Sequence, residues 1–351
     1  MSEFSKKLCA LYEGTGYIRY KMNRFEEYDL YAGNKDFLIS DSVITFTDSY
    51  GRLMALKPDV TLSIVKNVDR SSETVNKMFY DENVFRTDRG SGQFRELRQV
   101  GLECIGELDS YSVSEVLYLA QESLRMISGE CMLDVSDLSI LSKAIDSCGA
   151  GESDKKKILE FIGSKNSHEL AGLLKSINAD QDAAGTLLEL AGLCGRPGLV
   201  IPRLKELLPG DEKVAELERA VSVLDESIAE IDFSVVNNIN YYNGIVFNGF
   251  VSGAPAPVLS GGRYDRLMER MGKDSGAIGF AVYLDAVESF YASDDEYDGD
   301  VLIIYDDTVA PAEIINMISE YNSRGLKAAA LPGRPSKLRY RQIVKAPGGA
   351  T

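Results

Sequence analysis

The sequence predicts an α+β fold in which an antiparallel sheet is flanked by helices, with a helical insertion and a short α/β appendage at the C-terminal end. Three observations carry this expectation. Strand-like runs in the first 125 residues are joined by a hairpin turn, residues 137–229 switch to a helical period, and two short apolar runs beyond residue 299 flank one helix. Hairpins pair strands antiparallel, whereas parallel strands need crossovers of a dozen residues or more, so a doubly wound sheet is excluded.

The elements follow in order. Phe4, Leu8, Leu11 and Tyr12 fall at helical spacing and predict an amphipathic first helix. Strands are expected at Ser42-Val-Ile-Thr-Phe-Thr-Asp, Leu53-Met-Ala-Leu, Lys77 to Arg86 and Gln99 to Gly106, with Asp48-Ser-Tyr-Gly51 as a turn. The helical stretch is broken at Gly149-Ala-Gly, Gly195-Arg-Pro-Gly and Pro209-Gly-Asp. Strand character returns at Ile231-Asp-Phe-Ser-Val-Val and from Tyr241 to Val251. The acidic run Ser293-Asp-Asp-Glu-Tyr-Asp-Gly-Asp reads as a linker before a strand at Val301, a helix from Ala310 to Arg324 and a strand at Lys327. From Arg334 to Lys345 there are five basic residues and no acidic one, which reads as a loosely ordered basic end, with docking onto an acidic partner surface as the second reading. The expected domains are a core of 1–135 and 230–292, an insertion of 136–229 and an appendage of 299–351.

Length and composition bound the function. At 351 residues, two or three domains are expected. Lys and Arg total 38 against 54 Asp and Glu, a net charge of -16, which argues against a protein that lives on nucleic acid. No run of about 18 apolar residues is present and no leader-like apolar region follows Met1, so a cytoplasmic protein with no membrane contact is expected. Cys9, Cys104, Cys131, Cys148 and Cys194 are odd in number and never spaced Cys-x-x-Cys, which predicts buried reduced thiols rather than disulfides or a zinc site. His168 is the only histidine, so a two-His metal site is impossible, and it reads as a surface residue. No metal and no cofactor are expected. Chemistry must rest on carboxylates, Arg, Lys and Tyr.

Four segments carry candidate residues. In Ala55-Leu-Lys-Pro-Asp-Val-Thr61, Pro58 stiffens the chain before Asp59 and Thr61, although an ordinary turn with Thr61 as helix cap reads equally from these residues. In Phe85 to Glu103, Arg86, Arg89, Arg95 and Arg98 gather around two glycines, and Arg86 and Gln99 sit where both can face one cavity, with Glu103 further along. Guanidinium groups suit carboxylate or phosphate oxygens. In Asn237-Asn-Ile-Asn-Tyr-Tyr-Asn-Gly-Ile-Val-Phe247, strand alternation lets at most one of Tyr241 and Tyr242 line a given pocket. The fourth runs through Gly261-Gly-Arg-Tyr-Asp to Gly276-Ala-Ile-Gly-Phe-Ala, where glycines allow close backbone approach.

In this order, from about Tyr12 to Phe290, the segments resemble histidyl-tRNA synthetase and its class II synthetase relatives. Ala55 to Thr61 is similar to that family's Leu-Arg-Pro-Glu-Gly-Thr, Phe85 to Gly101 to its motif 2, and Asn240 to Phe247 to its histidine-binding strand. Gly262-Arg-Tyr-Asp and Gly279-Phe-Ala are similar to its glycine-rich stretch and the opening of motif 3. The resemblance implies a class II synthetase-like fold and a histidine-like ligand pocket of Asp59, Thr61, Arg86, Gln99, Glu103, Tyr241 and Tyr242.

The departures matter as much. Asn237 stands where active synthetases carry an arginine, Asn240 where they carry an aspartate, and Ala286 where motif 3 ends in arginine. Tyr283 replaces a glycine beneath the nucleotide, and Asn23 replaces the motif 1 proline. Losing one preorganised donor costs about 2.7–4 kcal/mol of transition-state stabilisation, roughly 10²–10³ in rate. The chain therefore resembles the catalytically silent relatives in the family, the regulatory subunits of ATP phosphoribosyltransferase. What this implies is no catalysis, activation of a short-form catalytic subunit at the first step of histidine biosynthesis, and feedback by free histidine. It also implies a homodimer within a hetero-oligomer and no tRNA partner. The alternatives are an active histidyl-tRNA synthetase and a synthetase-like histidine-sensing paralogue.

Overall fold

The computed structural model describes residues 3–34, 43–68, 75–88, 90–236, 241–291 and 297–347. They fall into two compact units, Met1–Val287 and Glu288–Thr351.

The first unit opens on α1 (Glu3–Gly14), where Leu8 and Tyr12, four residues apart, are both fully buried. The Tyr12 ring meets Phe79 and Phe280 edge-on, and its hydroxyl shares a 2.8 Å hydrogen bond with Ser123. Then come β1 (Ile18–Arg19), β2 (Phe25–Glu27), α2 (Tyr28–Ala32), β3 (Thr45–Thr47), β4 (Leu53–Leu56) and α3 (Thr61–Asn67). The turn between β3 and β4 is the expected one: Asp48 accepts the Tyr50 and Arg52 N–H groups, and Gly51 takes φ +80°. Next are β5 (Asn76–Thr87), β6 (Phe94–Gly106), α4 (Ser110–Ile127) and β7 (Cys131–Asp137). The helical stretch holds α5 (Leu138–Ser147), α6 (Glu152–Gly163), α7 (Ser167–Ser176), α8 (Gln181–Gly192), β8 (Cys194–Gly195), α9 (Pro197–Leu207) and α10 (Glu212–Val221). Three of its interruptions fall at the predicted glycine- and proline-containing breaks, two more fall at 164–166 and 177–180, where Lys165 and Asn178 take positive φ, and the two-residue β8 was not anticipated. The unit closes with β9 (Ala229–Asp232), β10 (Ile245–Val251), β11 (Leu259–Arg263), α11 (Asp265–Arg270) and β12 (Gly276–Tyr283), and α12 (Leu284–Tyr291) crosses the boundary.

Nine strands form one sheet in the order β1-β5-β6-β12-β11-β10-β7-β9-β8. Pairing is antiparallel except at β1/β5 and β7/β9. The α+β expectation thus holds, on a long sheet that is mostly antiparallel. A separate small sheet, β2-β4-β3, packs beside it. The centre of the large sheet is where the site will be: Glu103 of β6 lies opposite Met78 of β5 and Gly279 of β12.

The second unit has β13 (Gly299–Ile304), α13 (Pro311–Ser323), β14 (Ala328–Leu331) and β15 (Tyr340–Lys345), its sheet ordered β14-β13-β15 and all parallel. Here the basic end departs from expectation. Tyr340–Lys345 is a strand because buried Val301, Leu302 and Ile303 on β13 have a second edge to pair, and backbone hydrogen bonding satisfies it. The linker run 292–296 and residues 348–351 lie outside the described residues. Four cysteines are buried as expected, but Cys194 is exposed, and His168 is exposed as expected. Among the described residues no helix is long and apolar enough to cross a membrane.

Candidate functional site

The pocket forms where α3 starts against the middle of the large sheet. Lys57, fully buried, pairs with Glu82 at 2.8 Å, and its carbonyl accepts the Phe85 N–H, so the turn after β4 is tied to β5. This fixes Asp59, whose Oδ1 accepts the Leu62 N–H at 2.9 Å and so fills the start of α3. Thr61 is therefore not the cap. Its hydroxyl donates to Glu103 Oε1 at 2.7 Å instead. Glu103 Oε2 accepts the Tyr264 hydroxyl at 2.5 Å.

Glu103 sits this deep because Gly279 opposes it. A Cβ at Gly279 would lie 1.9 Å from Glu103 Oε2 and 2.4 Å from the Leu102 carbonyl. Burial pushes the Glu103 carboxyl up to about 8, the two hydroxyl donors oppose that shift, and the nearby Asp59 charge adds to it. Burial also raises Asp59, against the backbone N–H groups at the start of α3 and the Arg86 and Lys57 charges.

The walls are aromatic. Tyr80, Tyr241, Tyr242, Tyr264 and Tyr283 line the pocket with Asp59, Thr61, Gln99, Glu103 and Ser260. Tyr241 and Tyr242 pack edge-to-face at 4.8 Å, and Tyr241 lies 5.6 Å from Tyr264. Burial keeps the Tyr80, Tyr241, Tyr242 and Tyr264 phenols far from ionising. The free volume is about 40 Å³, room for about three waters at ~10–15 Å³ each. A ligand of amino-acid size needs a tyrosine to move.

Six of the seven residues expected to hold a ligand thus line one pocket. That both Tyr241 and Tyr242 do so corrects the strand argument. β10 begins only at Ile245, so the two tyrosines sit in a turn where alternation of faces does not apply. Arg86 is close by but not on the wall. Its Nε donates to the Pro58 carbonyl at 3.1 Å, and its Nη2 is buried without a hydrogen-bond partner. The other arginines do not converge there: Arg95 pairs with exposed-loop Asp88 at 3.0 Å, Arg98 grips Asp81 with two 2.9 Å bonds, and Arg89 lies outside the described residues. Asn237 and Asn240 also lie outside them. Tyr80 and Ser260 were missed, since nothing in a strand tyrosine or a serine before Gly-Gly marks it as pocket lining. Tyr264 sat inside the noted Gly-Gly-Arg-Tyr-Asp segment without being singled out. Among the described residues no group of three or more His, Cys, Asp or Glu could hold a metal.

The histidyl-tRNA synthetase family model matches residues 1–287. An ATP phosphoribosyltransferase regulatory subunit from Caldanaerobacter subterraneus subsp. tengcongensis is 31% identical over 291 residues, 80% of this chain and 76% of the relative. A histidine–tRNA ligase from Methanosarcina acetivorans is 28% identical, over 78% of this chain and 67% of the relative. The crystal structure of an ATP phosphoribosyltransferase regulatory subunit/histidyl-tRNA synthetase from Bacillus halodurans C superposes with a TM-score of 0.78 at 23% identity, covering 99% of this chain and 95% of that one. A chain of the ATP phosphoribosyl transferase (HisG:HisZ) complex from Thermotoga maritima gives a TM-score of 0.63 at 19% identity, covering 81% and 97%. Below 25% identity these two structures establish the fold. From the Asp59–Thr61 turn to the Gly279 strand, with matches over most of both partners, the chain belongs to the histidyl-tRNA synthetase family, in the group of ATP phosphoribosyltransferase regulatory subunits.

Proposed function

We propose that this chain is a non-catalytic subunit that activates a short-form ATP phosphoribosyltransferase and transmits feedback by free histidine through the tyrosine pocket. The observation that carries the reading is the contrast within the site. Acid, hydroxyl, amide and tyrosine groups suited to an amino acid are kept around Glu103, while Tyr283, at the position where the resemblance has a glycine beneath the nucleotide, lines the same pocket. Ala286 offers no charge for a triphosphate. Once a wall tyrosine has moved, an amino acid would present its ammonium to Asp59, and its carboxylate would reach the unpartnered Nη2 of Arg86 behind the wall. A side chain with ring nitrogens would meet Glu103 and the tyrosine hydroxyls. For feedback, histidine must bind more tightly to the inhibited assembly than to the active one, since equal affinity shifts nothing. The names of the regulatory relatives and the Thermotoga maritima complex support a catalytic partner.

The test mixes the chain with a short-form ATP phosphoribosyltransferase and follows phosphoribosyl-ATP formation. Strong activation is expected, with loss of that activation when histidine is added. No activation and no complex would overturn the reading. The ligase among the relatives motivates one competing assay, histidine-dependent pyrophosphate exchange, for which no activity is expected.

A homodimer within that hetero-oligomer is part of the proposal. Ile18 on the edge strand β1 is 74% exposed, and the exposed Phe25 and Phe46 rings meet edge-to-face at 5.7 Å on the small sheet, apolar surface that a second copy would cover. Sedimentation velocity at micromolar concentration should give a dimer, and a stable monomer would count against it.

A further inference from the structure

The tyrosine pocket, with about 40 Å³ of free volume, is shut to an amino acid as it stands. Beside it lies an open cleft of about 780 Å³, walled by α5 and α6 of the helical stretch and by Tyr242, Asn243 and Arg266. Among the described residues Tyr242 alone lines both. One phenol ring therefore stands between a closed pocket rich in polar groups and a space within the roughly 300–1,000 Å³ that admits small molecules.

The other wall tyrosines are held in place. Tyr80 is buried in β5 opposite Gly101 of β6, and Tyr264 is buried with its hydroxyl on Glu103. Tyr241 is buried too, and Tyr283 ends β12 opposite Gln99 without lining the cleft. Tyr242 differs on three counts. It is only partly buried, it precedes β10 outside any strand, and its ring lies on strand backbone, since a Cβ at Gly262 would sit 2.8 Å from the Tyr242 Cδ1. A seat with no side chain under it gives a ring fewer dispersion contacts than a packed wall does. The backbone beneath is fixed, because the Asn243 N–H donates to the Arg263 carbonyl at 3.0 Å, so the side chain can change rotamer while the turn stays. On the cleft side Leu159 offers an apolar face and Lys156 a cation, two surfaces on which a phenol ring packs.

We propose that Tyr242 is the gate of the tyrosine pocket and that the cleft against α5 and α6 is the way in. Closed, the ring rests on Gly262. Open, it turns into the cleft, and pocket and cleft join. The ligand that passes is the amino acid of the proposed function, on which that part of the role rests, while the opening itself is a property of the chain. The gate also gives the helical stretch a part in regulation. Because α5 and α6 wall the cleft, a partner that narrows it removes the space the ring turns into, and ligand entry and release slow together. A partner that widens it favours the open ring.

Thiol labelling tests the gate in the full chain. Cys194→Ser removes the exposed native thiol, the other four being buried, and Ser260→Cys places one inside the pocket beside the Tyr242 phenol. Iodoacetamide reaches that thiol only when the pocket opens. An open state populated at about 0.1–10% keeps labelling slow, so adding Tyr242→Ala should speed it about tenfold or more. Tyr283→Ala, on a wall the cleft does not share, should leave the rate near that of the doubly substituted parent. Ser142→Trp, at an exposed position of α5 on the cleft wall, occupies the space the ring needs and should slow labelling severalfold without disturbing a buried contact. The gate is overturned if Tyr242→Ala labels at the parental rate, if Tyr283→Ala labels as fast as Tyr242→Ala, or if Ser142→Trp leaves the rate unchanged. Histidine separates the gate from its ligand. At saturation it should protect the thiol, and labelling that histidine does not slow would overturn the amino-acid reading of the pocket while the three rates still decide the gate.

Discussion

Gly279→Ala is expected to destabilise the first unit by about 3 kcal/mol or more, seen as a lower urea midpoint. The new methyl would lie 2.4 Å from the Leu102 carbonyl, a backbone atom of the paired strand β6. A flexible side chain could swing away, but a strand carbonyl moves only if β6 and β12 part. The same methyl would sit 1.9 Å from Glu103 Oε2, so the carboxyl must also leave its place between Thr61 and Tyr264. Gly172→Ala is the control. That glycine is exposed inside α7 with nothing within 4 Å of an added methyl, so alanine should stabilise by up to about 1 kcal/mol. If the Gly279 variant unfolds at the parental urea concentration, the close packing of Glu103 against β12 is wrong.

Glu103→Gln should flatten the pH dependence of stability and make the protein more stable than the parent near pH 8. The sign follows from proton counting. An unfolded glutamate titrates near its ordinary value of 4.5, and Glu103 in the fold titrates at about 8. Between those values the native state holds a proton that the unfolded chain does not, so parental stability falls as pH rises through that window. Below pH 4.5 both states are protonated and the contribution is complete. Above about 8 the native carboxyl must ionise in a buried site. Glutamine has the same shape, accepts from one of the two hydroxyls and donates to the other, and carries no charge, which removes this slope. Glu103→Ala should instead cost about 2–4 kcal/mol at pH 6, because two buried hydroxyls lose their acceptor at once. Urea unfolding of the three proteins at pH 5, 6.5 and 8 separates the effects, and parallel pH profiles for parent and Gln variant would refute the account.

Much of the architecture was legible because it rests on local signals. The Asp48–Gly51 turn was readable from a side chain that hydrogen-bonds its own backbone and a glycine that reaches positive φ. The helical stretch was readable from apolar spacing and from the three breaks that contain glycine or proline, but not at the two that turn on positive φ at Lys165 and Asn178. Where local signals competed with distant pairing, the reading failed. The basic end from Arg334 looks like a loose tail by composition, yet Tyr340–Lys345 is a strand because β13 offers an edge much earlier in the chain. Residues flanking Tyr241 look like a continuing strand, but pairing begins at Ile245.

For the site, residue types and their order were enough to nominate Asp59, Thr61, Arg86, Gln99, Glu103, Tyr241 and Tyr242. Residue type is a local property, and carboxylate, guanidinium and phenol chemistry follows from it directly. What only the tertiary structure decided is who meets whom and at what depth. It puts Arg86 behind the wall on the Pro58 carbonyl and sends Arg95 and Arg98 to other partners. It narrows the pocket with Tyr80 and Tyr264, and it buries Glu103 deeply enough to push its titration up to about 8. Those outcomes depend on strand register and on the absence of a side chain at Gly279, contacts between residues up to 176 positions apart, as Glu103 and Gly279 are. Burial and the loss of water set the charge state of a carboxyl, and neither is a property of the residue alone.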